Sequence, residues 1–162
     1  ATLQALARPP KLIITDSQVF KAIYEQKKGS ELTSFSVLFA GYKGDIHYYV
    51  ESAAVIERLT DPHGTDSGSL YARSPFRRYR KSETSSFVTE TDWRESQIDM
   101  VAGTDFPQDL TPYSLVIHCG ACMFNRKYVL SRIERAREQH IPMTNYGVAI
   151  AFLNGILDQI KY

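Results

Sequence analysis

The sequence predicts an α/β fold in which a mostly parallel sheet is flanked by helices. Short aliphatic runs of strand length alternate along the chain with segments whose apolar residues recur at the spacing of an amphipathic helix. Of the 162 residues, 43% are apolar and 23% are charged, which is typical of an ordinary globular domain. Alternating strands and helices favour parallel strands joined by right-handed crossovers.

The first predicted unit is a strand followed by a helix. The run 11–16 comes after a pair of prolines and has the aliphatic composition of a buried strand. Ser17 can cap a helix that ends at Gly29. The apolar residues predicted to lie on the inner face of this helix are Val19, Phe20, Ile23 and Tyr24.

Two more helices are predicted in the first half of the chain. The run 32–40, Leu-Thr-Ser-Phe-Ser-Val-Leu-Phe-Ala, indicates a short strand that turns directly into a helix. A second helix is predicted from about Asp45 to Leu59. Its inward residues are predicted to be Ile46, Tyr49, Val50, Ala53 and Ile56.

Three strands and two helices are predicted in the second half. The strands cover Gln97 to Ala102, Tyr113 to His118 and Pro142 to Asn145. A helix from Asn125 to His140 is predicted to place Tyr128, Val129, Ile133 and Ala136 inward. A closing helix carries, at helical spacing, Val148, Ala151, Phe152, Gly155 and Ile156.

Two stretches of the chain resemble each other. The run 32–40 is similar to the run 143–151, Met-Thr-Asn-Tyr-Gly-Val-Ala-Ile-Ala, and an aliphatic strand-like run precedes each. Convergence of two strand-to-helix turns on similar capping residues is the favoured interpretation, with an ancient duplication as the alternative. Both stretches place hydroxyl and amide side chains at the carboxyl end of a strand, where open α/β sheets bind ligands.

The segment 64–96 departs from this pattern. Its 33 residues contain 11 Ser or Thr, six Arg or Lys, and only two aliphatic residues larger than Ala, Leu70 and Val88. We therefore expect a disordered or aberrant insert, with no buried strand of a parallel sheet. The basic and aromatic run 73–81 is of the kind that binds single-stranded nucleic acid, but its composition favours a solvated loop.

Charge and hydropathy argue against two classes of partner. Nineteen Lys and Arg against 18 Asp and Glu leave a formal charge of +1, so we expect neither nucleic acid nor a membrane as partner. No apolar run approaches the roughly 20 residues that span a bilayer, and residues 1–10 lack the core of a secretory signal. We expect a cytoplasmic protein, and since the chain begins without Met, the C-terminal part of a longer one.

The chemistry of the sequence is concentrated in the run 118–126, His-Cys-Gly-Ala-Cys-Met-Phe-Asn-Arg. The chain's two cysteines, Cys119 and Cys122, follow a predicted strand and precede a predicted helix, whose N-terminal dipole favours thiolates. Three interpretations are open: half of a zinc or iron-sulfur site that needs further ligands, a thiol redox pair, or a buried and inert pair.

Longer motifs resemble one known family. Three runs are similar to the C-terminal part of the FeFe-hydrogenase maturation GTPase HydF. They are 105–110 (Asp-Phe-Pro-Gln-Asp-Leu), 115–126 (Leu-Val-Ile-His-Cys-Gly-Ala-Cys-Met-Phe-Asn-Arg) and 141–151 (Ile-Pro-Met-Thr-Asn-Tyr-Gly-Val-Ala-Ile-Ala). The runs 10–20 and 32–45 resemble the same family. The motifs occur in the family's order, and the resemblance covers roughly residues 9–61 and 97–160.

The resemblance implies a role in hydrogenase maturation. HydF proteins combine a GTPase domain, a dimerisation domain and a cluster-binding, tetramerisation domain, and they carry the diiron precursor of the hydrogenase H-cluster. By this resemblance, residues 1–34 are the tail of the dimerisation domain and residues 35–162 the cluster-binding domain. The sequence lacks a Gly-x-x-x-x-Gly-Lys-Ser/Thr motif, so we expect this chain not to be an enzyme. The implied partners are further copies of the chain, as a dimer or tetramer, FeFe-hydrogenase and the radical-SAM maturases.

The resemblance also implies a 4Fe-4S cluster held by three cysteines, one from an upstream Cys-x-His and two from a His-Cys-x-x-Cys. His118, Cys119 and Cys122 match the second motif and are the predicted cofactor-binding and metal-binding residues, whereas the first motif is missing. Permitted codons for residues 70–73 (CTG-TAC-GCA-CGN), read one nucleotide later, encode Cys-Thr-His, which favours a double frameshift over a genuine insertion. With only His63 or a carboxylate to substitute, the chain is predicted to bind a cluster poorly or not at all.

Overall fold

The computed structural model describes residues 8–60, 69–74, 97–102, 106–118 and 123–162, and over 69–74 and 97–102 it describes the backbone. The described residues form two parallel sheets, one of two strands and one of four, with helices packed around them. The α/β fold with parallel sheets predicted from the sequence is confirmed. No helix in these ranges combines the length and apolar composition needed to cross a bilayer.

The first sheet pairs two short strands in parallel. Strand β1 (Leu12–Thr15) lies beside β2 (Glu31–Ser34), with Ile13 opposite Leu32. On the other side of β2, the C-terminal tail adds an isolated bridge between Leu32 and Ile160. The main chain of Lys161 also donates to Leu32, across 2.8 Å. The two ends of the described chain therefore meet on this sheet.

The helix after β1 is shorter than predicted, and its cap is a different residue. A 3₁₀ turn (Ser17–Val19) leads into α1 (Phe20–Tyr24), which ends five residues before Gly29. Asp16 provides the cap, accepting from the main chain of Gln18 across 2.9 Å. Because a 3₁₀ turn has three residues per turn, it rotates Val19 away from the core, and Val19 is 45% exposed, so its predicted inward position is wrong.

Helices α2 (Phe35–Lys43), α3 (Ile46–Ala53) and α4 (Val55–Thr60) follow β2. The predicted strand-to-helix turn is confirmed, and the long helix predicted from Asp45 is two helices separated by Ala54. All five predicted inner residues belong to the core or pack against it. Tyr49, Ala53 and Ile56 are fully buried, and Ile46 and Val50 are partly buried against the core.

The second sheet has four parallel strands in the order β4, β3, β5, β6. They are β3 (Ser69–Ser74), β4 (Gln97–Ala102), β5 (Leu115–His118) and β6 (Met143–Asn145). Strand β3 pairs with β4 on one side and β5 on the other. Within the segment 64–96, for which no buried strand of a parallel sheet is expected from the sequence, residues 69–74 nevertheless form a strand of this sheet, because the two neighbouring strands supply its backbone hydrogen bonds. The rest of that segment lies outside the described residues.

Two longer helices follow the strands of the second sheet. Helix α5 (Arg126–Glu138) begins at an Asn125 cap and buries Val129, Ile133 and Ala136, while Tyr128 is half-buried. Helix α6 (Tyr146–Leu153) follows β6 without a loop and is buried through most of its length. Gly155, placed in the closing helix by its spacing, lies beyond the end of that helix at a φ of 66°.

The two similar stretches form similar turns that pack on each other. In β2 and α2, Ser34 caps the helix by accepting from the main chain of Val37, and in β6 and α6, Asn145 does the same for Val148. The Asn145 amide also donates to the carbonyl of Ser36 across 3.0 Å. These two turns therefore join the first sheet to the second.

Candidate functional site

The predicted site lies at the carboxyl end of the second sheet. Strand β5 is fully buried and ends at His118, which has Arg73 of β3 as its register partner on one side and Asn145 of β6 on the other. The next residue, Cys119, and Cys122 lie outside the described residues, as does His63. Of the predicted site residues, His118 is therefore the one whose surroundings can be described.

The chain that follows Cys122 is fixed by two local contacts. The ammonium of Lys43, in the last turn of α2, donates to the carbonyl of Phe124 across 2.9 Å. Asn125 then caps α5, accepting from the main chain of Tyr128 across 2.9 Å. The described chain thus ends at a buried strand before residue 119 and resumes at residue 123, just before a capped helix start.

His118 is buried and makes a polar contact with an arginine. Its side chain is 1% exposed, and its Nε2 lies 2.9 Å from a guanidinium nitrogen, Nη1, of Arg132 on α5. A guanidinium has donors but no acceptor, so this contact requires a lone pair on Nε2. The described geometry therefore directs the Nε2 lone pair toward Arg132.

Arg132 is a site residue that was not predicted from the sequence. It is 3% exposed, and its Cζ lies 4.0 Å from the ring centroid of Tyr128, 4.6 Å from that of Phe106 and 5.4 Å from that of Phe124. Its other nitrogen, Nη2, donates to the Tyr128 hydroxyl. A sequence cue existed, because position 132 falls on the inner stripe formed by Val129, Ile133 and Ala136.

The hydroxyl and amide groups at the strand ends have structural partners. Thr33 donates to the carbonyl of Lys161 across 2.6 Å, and Thr144 donates to that of Tyr49 across 2.8 Å. Ser34 accepts from the Ser17 hydroxyl across 2.7 Å in addition to capping α2. Together with the contacts of Asn145, these bonds tie elements of the fold to one another, and they give these groups a structural role.

The sequence has fewer cysteines than a 4Fe-4S cluster usually requires. Such a cluster is held by about four cysteines in general, and by three in the family that the chain resembles, whereas the sequence has two. His118, the third predicted ligand, directs Nε2 to Arg132. Within the described ranges, no three His, Cys, Asp or Glu side chains are grouped so that they could hold a metal ion.

The register of β3 bears on the frameshift hypothesis. Positions 70 and 71, where the alternative reading frame places the missing cysteine, pair with Leu115 and Val116. They lie two to three residues before the level of His118, or about 7–10 Å along the strand at a rise of about 3.3 Å per residue. A cysteine there comes level with Cys119 only if β3 adopts a different register.

Two family models match the chain. The one described as the hydrogen maturase F tetramerization domain matches residues 84–161, and the one described as the hydrogen maturase F dimerization domain matches residues 1–44. Together these ranges cover about three quarters of the chain. The first range includes His118, both cysteines and Arg132, and it also takes in residues 84–96 of the Ser- and Thr-rich segment. No curated protein matches the chain.

Proposed function

Because this chain belongs to the hydrogen maturase F family, we propose that it is the oligomerising part of a hydrogenase-maturation scaffold whose cluster site is incomplete. The family's dimerization and tetramerization domains account for hydrogenase maturation and self-association. The finer proposal is that the intact scaffold carries a 4Fe-4S cluster and the diiron precursor of the H-cluster, and passes the precursor to FeFe-hydrogenase in concert with the radical-SAM maturases. The role assigned to this chain involves no catalytic step.

The placement of His118 is the observation that supports a site at this point. A buried central strand ends there, Cys119 is the next residue, and α5 begins four residues after Cys122. The carboxyl end of a parallel sheet and the start of a helix are where α/β proteins hold ligands, and the helix dipole favours thiolates. The matched tetramerization range contains all of these residues.

The shortage of ligands supports the proposal that the site is incomplete. Two thiolates bind only two of the four irons of a cubane cluster. On the neighbouring strand, β3, the register partner of His118 is Arg73. An arginine has no lone pair to donate to iron. We therefore expect this chain to hold much less than one 4Fe-4S cluster.

Anaerobic reconstitution with iron and sulfide tests this proposal. We expect iron and sulfide counts well below four of each per chain and a weak EPR signal after reduction. The double variant Cys119→Ser, Cys122→Ser is the control, and it should lose the residual iron. A near-stoichiometric 4Fe-4S signal from the unaltered chain would show that the site is complete.

The small number of thiols also favours one alternative, a redox or zinc module that uses Cys119 and Cys122. A dithiol needs no third ligand to form a disulfide. Thiol titration against a series of redox buffers separates the two proposals. A reversible disulfide between these cysteines, without uptake of iron or zinc, would support the redox module.

An apolar stripe on α2 is a candidate surface for self-association with a second copy of the chain. Phe35, Leu38 and Tyr42 are 58%, 38% and 73% exposed, and their spacing places them on one helix face. All three lie inside the range that matches the dimerization domain. The triple variant Phe35→Ser, Leu38→Ser, Tyr42→Ser should sediment as a smaller species, while Val19→Ser, an exposed apolar position off this helix, should not. Unchanged sedimentation of the triple variant would show that the interface lies elsewhere.

A further inference from the structure

We infer that Arg132 holds His118 as the Nδ1-protonated tautomer, so that His118 positions the end of β5 and does not bind a metal through Nε2. This inference concerns a residue pair, and its consequence for metal binding rests on the proposed function. The tautomer itself does not depend on that function. Arg132 is accordingly a positioning residue that acts through His118.

The direction of the hydrogen bond follows from donor chemistry. Nη1 of Arg132 lies 2.9 Å from Nε2 of His118, a normal hydrogen-bond length. Guanidinium nitrogens only donate, so a proton on Nε2 would point at the N–H of Arg132 and be repelled by it. The contact is therefore possible only if Nε2 has its lone pair available for Arg132.

Arg132 is held in place independently of His118. Three aromatic rings, those of Phe106, Phe124 and Tyr128, surround its guanidinium within 5.4 Å, and the Tyr128 hydroxyl accepts from Nη2. A cation over an aromatic face is stabilised most when it is removed from water, and this one is 3% exposed. The guanidinium is thus a fixed donor to which the imidazole must adapt.

The pair connects the proposed metal site to α5. His118 is the last residue of β5 and directly precedes Cys119, while Arg132 lies in the second turn of α5. A metal bond from Nε2 would take the acceptor away from a buried cation, and burying a donor without its acceptor is unfavourable. We therefore assign to the His118 imidazole the role of fixing the direction in which the strand ends, and not that of a metal ligand through Nε2.

Nitrogen-15 NMR of the full chain labelled at histidine tests the tautomer. The four histidines can be assigned by single substitutions, and exposed His47 and His140 serve as internal references. We expect the His118 Nε2 to resonate as an unprotonated nitrogen and its Nδ1 as a protonated one. Observing the opposite pattern in the unaltered chain would overturn the inference, whatever the variants do.

Arg132→Met removes the donor and keeps a long apolar side chain. Without the donor, His118 should lose its fixed tautomer and give a mixture dominated by the Nε2-protonated form, which free imidazole side chains prefer. A tautomer unchanged in Arg132→Met would overturn the role of Arg132. Should that variant fail to fold, Tyr128→Phe keeps the donor and weakens only its support, and it should retain the original tautomer.

Addition of zinc alone separates this inference from the proposed function. We expect the His118 Nε2 resonance to stay in place as zinc is added, whether or not the cysteines bind it. Movement of that resonance to a metal-bound position would overturn the inference. Absence of any zinc binding, measured by a competing chelator, counts against the proposed metal site but leaves the tautomer result standing in support of the inference.

Discussion

Gly147 of α6 lies against Ser36 of α2 so closely that no side chain fits between them. A Cβ built on Gly147 would lie 2.6 Å from the Cβ of Ser36 and 3.2 Å from the main-chain nitrogen of Val37. Both residues belong to the paired strand-to-helix turns that connect the two sheets. The glycine thus sets how closely the two sheets approach.

Replacing either of two helix glycines with alanine should change the free energy of unfolding, but in opposite directions. Gly147→Ala should lower the free energy of unfolding by about 1–3 kcal/mol, because the neighbouring backbone cannot move aside. Gly41, exposed in α2, has its nearest neighbour 4.0 Å from a Cβ, so Gly41→Ala should raise the free energy of unfolding by about 0.5–1 kcal/mol through helix propensity. Urea denaturation measures both. Equal effects of the two substitutions would contradict this account of Gly147.

The ion pair between Asp45 and Arg137 should make stability depend on pH. The Arg137 guanidinium first, and then the main-chain N–H of Tyr48, hold the pKa of Asp45 below its ordinary value of 3.8. A lowered pKa in the folded state means that the stabilisation is present above pH 4 and is lost as the pH falls through the folded pKa. Because Arg137 is half exposed, we expect about 0.5–1 kcal/mol from the pair at neutral pH.

Asp45→Asn isolates that contribution, because asparagine still caps α3 through the main chain of Tyr48. The difference in free energy of unfolding between the unaltered chain and this variant should be present at pH 7 and should shrink below about pH 4. Asp45→Ala also removes the cap and should cost about 1 kcal/mol more. A difference as large at about pH 3 as at pH 7 would show that charge is not its source.

Elements fixed by nearby residues could be predicted from the sequence, whereas those that depend on distant partners could not. Ser34 and Asn145 are strong cap residues placed directly before apolar helical runs, so both strand-to-helix turns follow from local chemistry. Strand β3 was missed because its own composition is unfavourable and its hydrogen bonds come from β4 and β5.

The candidate site could likewise be predicted from the sequence only where nearby residues determine it. Its position at the end of β5 followed from an aliphatic run that stops at His118. The burial of Arg132 could not be predicted, since Phe106 is 26 positions away in the chain and reaches the guanidinium only in the folded protein. A charged residue on a predicted inner stripe is the one local sign of such a contact.

Two asparagine caps should differ in what they contribute to stability. Asn125 is exposed and makes the single cap bond to Tyr128, so Asn125→Ala should lower the free energy of unfolding by about 1 kcal/mol. Asn145 is 3% exposed and bonds both Val148 and the carbonyl of Ser36. Asn145→Ala should therefore cost about 2–3 kcal/mol, because it leaves buried groups without partners. Equal losses in thermal or urea unfolding would show that the bond to Ser36 contributes little.

Lys43 should control the order of the chain that follows Cys122. Its ammonium donates to the carbonyl of Phe124, between the proposed cysteine ligands and the Asn125 cap. Lys43→Met keeps the length of the side chain and removes the donor, so amide hydrogen exchange around 123–125 should become several-fold faster. Lys27→Met is the matched control, since Lys27 lies over the ring of Tyr24, on α1, and should leave that exchange unchanged. If Lys43→Met leaves the exchange at 123–125 as slow as in the unaltered chain, the Asn125 cap alone orders this stretch, and the contact from α2 does not contribute to that order.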